Sequence, residues 1–179
     1  MLILGIETSC DETAAAVVRD GKTILSNIVV SSLREHAQYG GIIPEIASRR
    51  QMECIQAVVR EALEKAKTSL DHIDAIAVTI SPGLMGSLLV GISFAKSLAY
   101  RLKTPLVGVN HLEAHLAANF IGTQIPDKYI GLLVSGGHSI ISYQEKDYQK
   151  AVKYCDQAVG LGYAPEEGYL NALKPFRGK

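Results

Sequence analysis

Three short β-rich runs open the chain, at residues 2–6, 13–18 and 23–30, separated by the turn-prone stretches Ser9-Cys10-Asp11 and Asp20-Gly21. Strand-like runs broken by such turns predict a three-stranded antiparallel meander. Between Pro44 and Lys67 the period changes. Ile55, Val58, Val59, Ala62, Leu63 and Ala66 recur at helical spacing with charge on the other face, and Pro44 suits a first helical turn. Residues 75–80 are continuously apolar, as expected of a strand covered on both faces. Ser81-Pro82-Gly83 then turns the chain into an apolar stretch over about residues 84–102, read as a buried helix. Residues 106–109 predict a second buried strand and 111–120 a further helix; 130–134 and 139–143 flank a hairpin turn at 135–138.

The order βββαβαβα followed by ββ predicts a mixed sheet with helices on its faces. It is the order of the ribonuclease-H-like unit that occurs twice in actin-like ATPases and sugar kinases. Residues 1–125 are expected to form that unit, and 126–179 to begin a second, truncated one. Only a weak helical pattern, residues 148–159, follows the hairpin.

Composition narrows the function classes. The chain is 47% hydrophobic, enough for a sizeable core. Its 18 basic and 18 acidic residues cancel, so a dominant nucleic-acid footprint is absent and any RNA contact is local. The three cysteines form no C-x-x-C pair, and the N-terminus enters a strand directly; both point to a reducing, cytoplasmic setting. Lys96 ends the apolar run well short of a membrane span, so no membrane is expected.

Chemistry-bearing residues cluster in a few segments. His111 and His115 are spaced i, i+4, about 5–6 Å apart at Cβ on one helix face, close enough to share a metal ion. Val134-Ser135-Gly136-Gly137-His138 runs from a strand into a turn whose backbone N–H groups can face a phosphate. Glu7, Ser9, Asp11 and Glu12 sit in a strand-turn-strand that can wrap a phosphate or orient a nucleophile. Ser81-Pro82-Gly83 offers free N–H groups at a helix start. Each segment has an ordinary alternative: a solvated helix edge, a hairpin turn, a polar loop, a tight βα turn. His36 to Gly41 reads as a polar loop, Arg49-Arg50 as a solvated helix face, and His72 as surface.

Together, Glu7-Thr8-Ser9-Cys10-Asp11-Glu12-Thr13, the run from His36-Ala37-Gln38-Tyr39-Gly40-Gly41 to Arg49, Pro82-Gly83-Leu84, His111 to His115 and Val134 to His138 closely resemble the tRNA threonylcarbamoyladenosine transferase family, formerly the glycoprotease or O-sialoglycoprotein endopeptidase family. The resemblance covers residues 1 to about 143. It implies an actin-like enzyme that transfers threonylcarbamoyl from threonylcarbamoyl-adenylate to N6 of adenosine 37 in tRNAs reading ANN codons. It further implies that His111 and His115 bind iron or zinc, that Leu133, Val134, Ser135, Gly136 and Gly137 line the adenylate loop, and, on a looser match, that Asp156 contacts the nucleotide. The implied partners are tRNA, the adenylate, and proteins of a tRNA-modification complex that include a homologous non-catalytic subunit. A zinc protease of the H-E-x-x-H kind is excluded, because Leu112 stands where the general base belongs.

Family members run to roughly twice this length, and their third metal ligand, an aspartate, lies in the part not matched here. The resemblance therefore implies a truncated form, inactive alone. The competing possibility is a non-catalytic paralogue or dimerisation module that binds the full-length enzyme; the histidine pair favours the catalytic lineage. A small-molecule kinase is disfavoured, because carboxylates hold Mg²⁺ in that chemistry.

Overall fold

The computed structural model describes residues 1–123 together with the backbone of two later strands. Residues 124–129, 136–137 and 144–179 lie outside the described set, and with them Gly136, Gly137 and Asp156. Two units are described separately. The first is Met1–Ala117 with Ile121–Thr123.

In that unit β1 (Leu2–Glu7), β2 (Glu12–Arg19) and β3 (Thr23–Ser31) form the expected antiparallel meander. The short helix α1 (Leu33–His36) and a 3-10 turn (Ala37–Tyr39) lead into α2 (Pro44–Lys65). Then come β4 (Ala75–Ser81), α3 (Met85–Leu102), β5 (Leu106–Asn110) and α4 (His111–Ala118). The sheet order is β3-β2-β1-β4-β5, with β1, β4 and β5 mutually parallel. This is the mixed sheet of a ribonuclease-H-like, actin-like ATPase fold. Among the described residues of the second unit, β6 (Ile130–Ser135) and β7 (His138–Tyr143) pair as an antiparallel hairpin.

Strand side chains alternate between faces, and only one face carries the core. Leu4, Ile6, Ala15, Val17, Ile28, Ile76 and Val78 meet Ile55, Val58, Val59, Ala62 and Leu63 of α2 and Ala95 and Ala99 of α3. Burial of this apolar surface is the main force holding helices to sheet.

Four sequence expectations are corrected. Residues 84–102 do form a helix, but not a buried one: α3 buries only Ser87, Gly91, Ala95 and Ala99, a stripe four residues apart, and leaves Met85 and Tyr100 78% and 89% exposed. Small side chains bring that face close to the sheet, Val90, Ile92, Phe94, Leu98 and Leu102 pack against the core while only partly buried, and Met85, Leu89 and Tyr100 stay exposed. The strand at 106–109 is not buried either, because β5 is an edge strand with Val107 half exposed. Nor is β4 covered throughout, since Ile80 at its end is exposed. Finally, the segment read as a polar loop begins with a buried histidine. His36 Nδ1 accepts the Ile43 N–H at 3.2 Å and its Nε2 lies 3.1 Å from Ser32 Oγ, which makes the ring a satisfied internal strut.

Candidate metal and nucleotide site

Parallel strands β1, β4 and β5 end at the same edge of the sheet, so the residues that follow them converge there. Glu7 follows core residue Ile6, and Thr79 follows core residue Val78. Both side chains therefore project from the face opposite the core. Beyond β5, Asn110 starts α4 at once: its Oδ1 accepts the N–H groups of Leu112 (2.9 Å) and Glu113 (3.3 Å), a side-chain cap that fixes where the helix begins. That cap presents the histidine pair at the sheet edge.

His111 Nδ1 lies 3.3 Å from Glu7 Oε2 and 3.2 Å from Ser9 Oγ. On the other side of the ring, His111 Nε2 is 3.1 Å from His115 Nε2, with the two rings edge to face and their centroids 4.5 Å apart. Two nitrogens about 2.0–2.1 Å from one tetrahedral zinc lie about 3.3–3.4 Å apart, so the pair is close to the bite of a shared ion. Among the described residues no group of three or more His, Cys, Asp or Glu converges as a complete metal site.

Glu7 also accepts hydrogen bonds from the Ser9 backbone N–H and the Thr79 hydroxyl. Burial pushes its carboxyl up, but the bonds from Ser9 and Thr79, with His111 adding attraction, outweigh that and hold it below the usual carboxylate range. Ser9 and Thr79 are nearly inaccessible, at 3% and 4% exposure, so this carboxylate has a fixed setting.

The loop after β1 is held from all sides. Ser9 O accepts Leu84 N–H at 2.7 Å; Cys10 O accepts Gln51 Nε2 and Ser87 Oγ; Asp11 O accepts both the N–H and the hydroxyl of Ser32; Glu12 O accepts Gln51 Nε2. Its carbonyls are thus turned into the protein. The first N–H of the Ser81-Pro82-Gly83 helix start is spent on Ser9 and is not open to an anion. A Cβ on Gly91 would strike the Thr8 hydroxyl, which donates to Ser87 O at 2.8 Å.

Of the residues singled out from sequence, Glu7, Ser9, His111 and His115 come together. Asp11 and Glu12 are not brought into that cluster: their backbone carbonyls bond Ser32 and Gln51, and among the described residues neither carboxylate bonds to the histidines. Leu133 is half-buried in β6, Val134 and Ser135 are described by backbone alone, and the rest of the expected adenylate loop lies outside the described residues. Thr79, Asn110 and Gln51 escaped the sequence reading. Only Asn110 carried a signal, as a capping residue type placed directly before the histidine helix.

The family model for tRNA N6-adenosine threonylcarbamoyltransferase matches residues 23–172. The chain belongs to that family. It is 60% identical over 139 residues to the tRNA N6-adenosine threonylcarbamoyltransferase of Geobacter sulfurreducens, a match covering 78% of this chain and 41% of that relative. It is 50% identical to the enzyme of the same name from Clostridium perfringens, covering 97% and 58%. The chain thus spans about half the length of these members of the tRNA N6-adenosine threonylcarbamoyltransferase family. Among solved structures, YeaZ from Pseudomonas aeruginosa shares the fold at 21% identity and a TM-score of 0.50, covering 80% of this chain and 64% of that one. Among the described residues no helix is long and apolar enough to cross a membrane.

Proposed function

We propose that this chain serves tRNA modification, the transfer of threonylcarbamoyl from threonylcarbamoyl-adenylate to N6 of adenosine 37 in tRNAs reading ANN codons. The observation that carries this reading is the pairing of His111 and His115 Nε2 at 3.1 Å in a chain of this family. The pair would hold one iron or zinc ion, which when bound supplies Lewis acidity at the carbamoyl carbonyl. A third protein ligand comes from outside the described residues, since a working site of this kind needs at least three.

The chain's own residues divide the remaining work. Asn110 sets the start of α4 and so the position of both imidazoles. The loop from Ser9 to Glu12 has its backbone carbonyls engaged internally, which leaves them turned away from the phosphate side of the adenylate. Leu133, Val134, Ser135, Gly136 and Gly137 would line the nucleotide, with Asp156 as a further contact. Partners are tRNA and the proteins of a tRNA-modification complex, among them a homologous non-catalytic subunit, and the reaction is cytoplasmic.

The test measures threonylcarbamoyl transferred to unmodified tRNA with metal supplied. The 179-residue chain alone is expected to give no turnover. Residues 1–143 joined to the remaining portion of the Geobacter sulfurreducens relative are expected to give turnover that His111→Ala abolishes. A chimera that folds and binds metal yet transfers nothing refutes the proposal.

A further inference from the structure

We infer that Glu7 is a positioning residue for the metal pair: by accepting the Nδ1–H of His111 it holds that imidazole in the tautomer whose lone pair lies on Nε2, toward His115. The inference rests on the proposed binding of a metal by His111 and His115. The i, i+4 spacing brings two rings to one helix face, but it sets neither the rotation of a ring nor the nitrogen that carries its proton.

Both oxygens of Glu7 are already acceptors. Oε1 takes the Ser9 backbone N–H, a group that can only donate, and Oε2 takes the Thr79 hydroxyl. A carboxylate engaged in this way offers His111 lone pairs and no proton, so the hydrogen between Oε2 and the imidazole, 3.3 Å apart, belongs to Nδ1. A neutral imidazole carries one ring proton, so Nε2 is left bare, and this is the nitrogen 3.1 Å from His115 Nε2. Thr79 sits in β4 beside β1 and is almost fully buried, which prevents the carboxylate from swinging away from the ring. Ser9 Oγ, 3.2 Å from Nδ1, closes the same side. Metal-ligating histidines are commonly oriented by a carboxylate on the second ring nitrogen, and loss of that partner typically weakens metal binding roughly 10–100-fold.

The decisive variant is Glu7→Gln, which keeps an acceptor for the Ser9 N–H but can place an amide NH₂ against Nδ1 and so favour the opposite tautomer. Two quantities are measured on the whole chain: zinc affinity, by competition with a chromophoric chelator, and the His111 tautomer, from long-range proton–nitrogen NMR correlations in metal-free protein. Wild type is expected to show a pyrrole-type Nδ1 and a pyridine-type Nε2. Glu7→Gln is expected to lose that pattern and, while still folded, to bind zinc at least about tenfold more weakly. A folded Glu7→Gln protein with wild-type zinc affinity and tautomer overturns the inference. If that variant does not fold, wild type decides, because a His111 protonated on Nε2 overturns the inference and a pyridine-type Nε2 upholds it. Zinc binding that His111→Ala leaves unchanged overturns the metal reading itself and not the Glu7–His111 relationship.

Discussion

Gly83 and Ser9 approach so closely that no side chain fits between them: a Cβ on Gly83 would stand 2.5 Å from Ser9 O and 2.8 Å from Ser9 Cβ. The contact is reinforced by the Leu84 N–H, which donates to the same carbonyl at 2.7 Å. The turn after β4 therefore grips the loop after β1, and that loop carries Ser9 against His111.

Gly83→Ala should force the two loops apart. Backbone on one side and a buried serine on the other leave no flexible neighbour to yield, so the cost should fall in the range for overpacking, about 1–3 kcal/mol. Chemical denaturation measures it. Zinc affinity should fall in parallel, and a variant with wild-type stability would show that the loops separate freely.

Asn110→Ala removes the cap of α4. Such losses cost about 0.5–2 kcal/mol. In a helix of eight residues much of that should appear as fraying of the first turn, where His111 stands. Hydrogen exchange at Leu112 and Glu113 should accelerate more than exchange in α2. Uniform acceleration across the chain would argue against a local cap.

The Glu7 carboxyl titrates below its ordinary value in the folded chain. For a depressed acid, the stabilisation is present above the unfolded value and is lost as pH falls through the folded one. Stability should therefore drop on acidification below the ordinary glutamate value of 4.5, and the difference between wild type and Glu7→Gln should shrink over the same window. Thermal melts at stepped pH test this; a difference that grows on acidification would reverse the sign.

Ile76→Ala should open a cavity beneath both helices, because Ile76 is fully buried in the core facing α2 and α3. The expected loss is about 2–5 kcal/mol. Val107→Ala, on the exposed edge strand, should cost far less. Equal losses at the two positions would contradict the one-sided core.

Much of this architecture is written in local sequence. Period-two runs and turn residues locate the meander, helical spacing and Pro44 locate α2, and the order of elements specifies the fold, because these patterns depend on neighbours along the chain. The histidine pair is legible for the same reason, since i, i+4 spacing is a property of one helix. What local pattern does not carry is which face is covered and which residues from distant segments meet. The apolar composition of α3 and β5 suggests full burial, yet the order of strands leaves β5 at the edge, and α3 buries fully only a small-residue stripe while its large side chains are partly buried or exposed. The isolated sequence of Glu7 is an acidic residue at the end of a strand. It meets Thr79 and His111, 72 and 104 residues away, only because parallel strands end at a common edge, and that convergence is decided by tertiary structure alone.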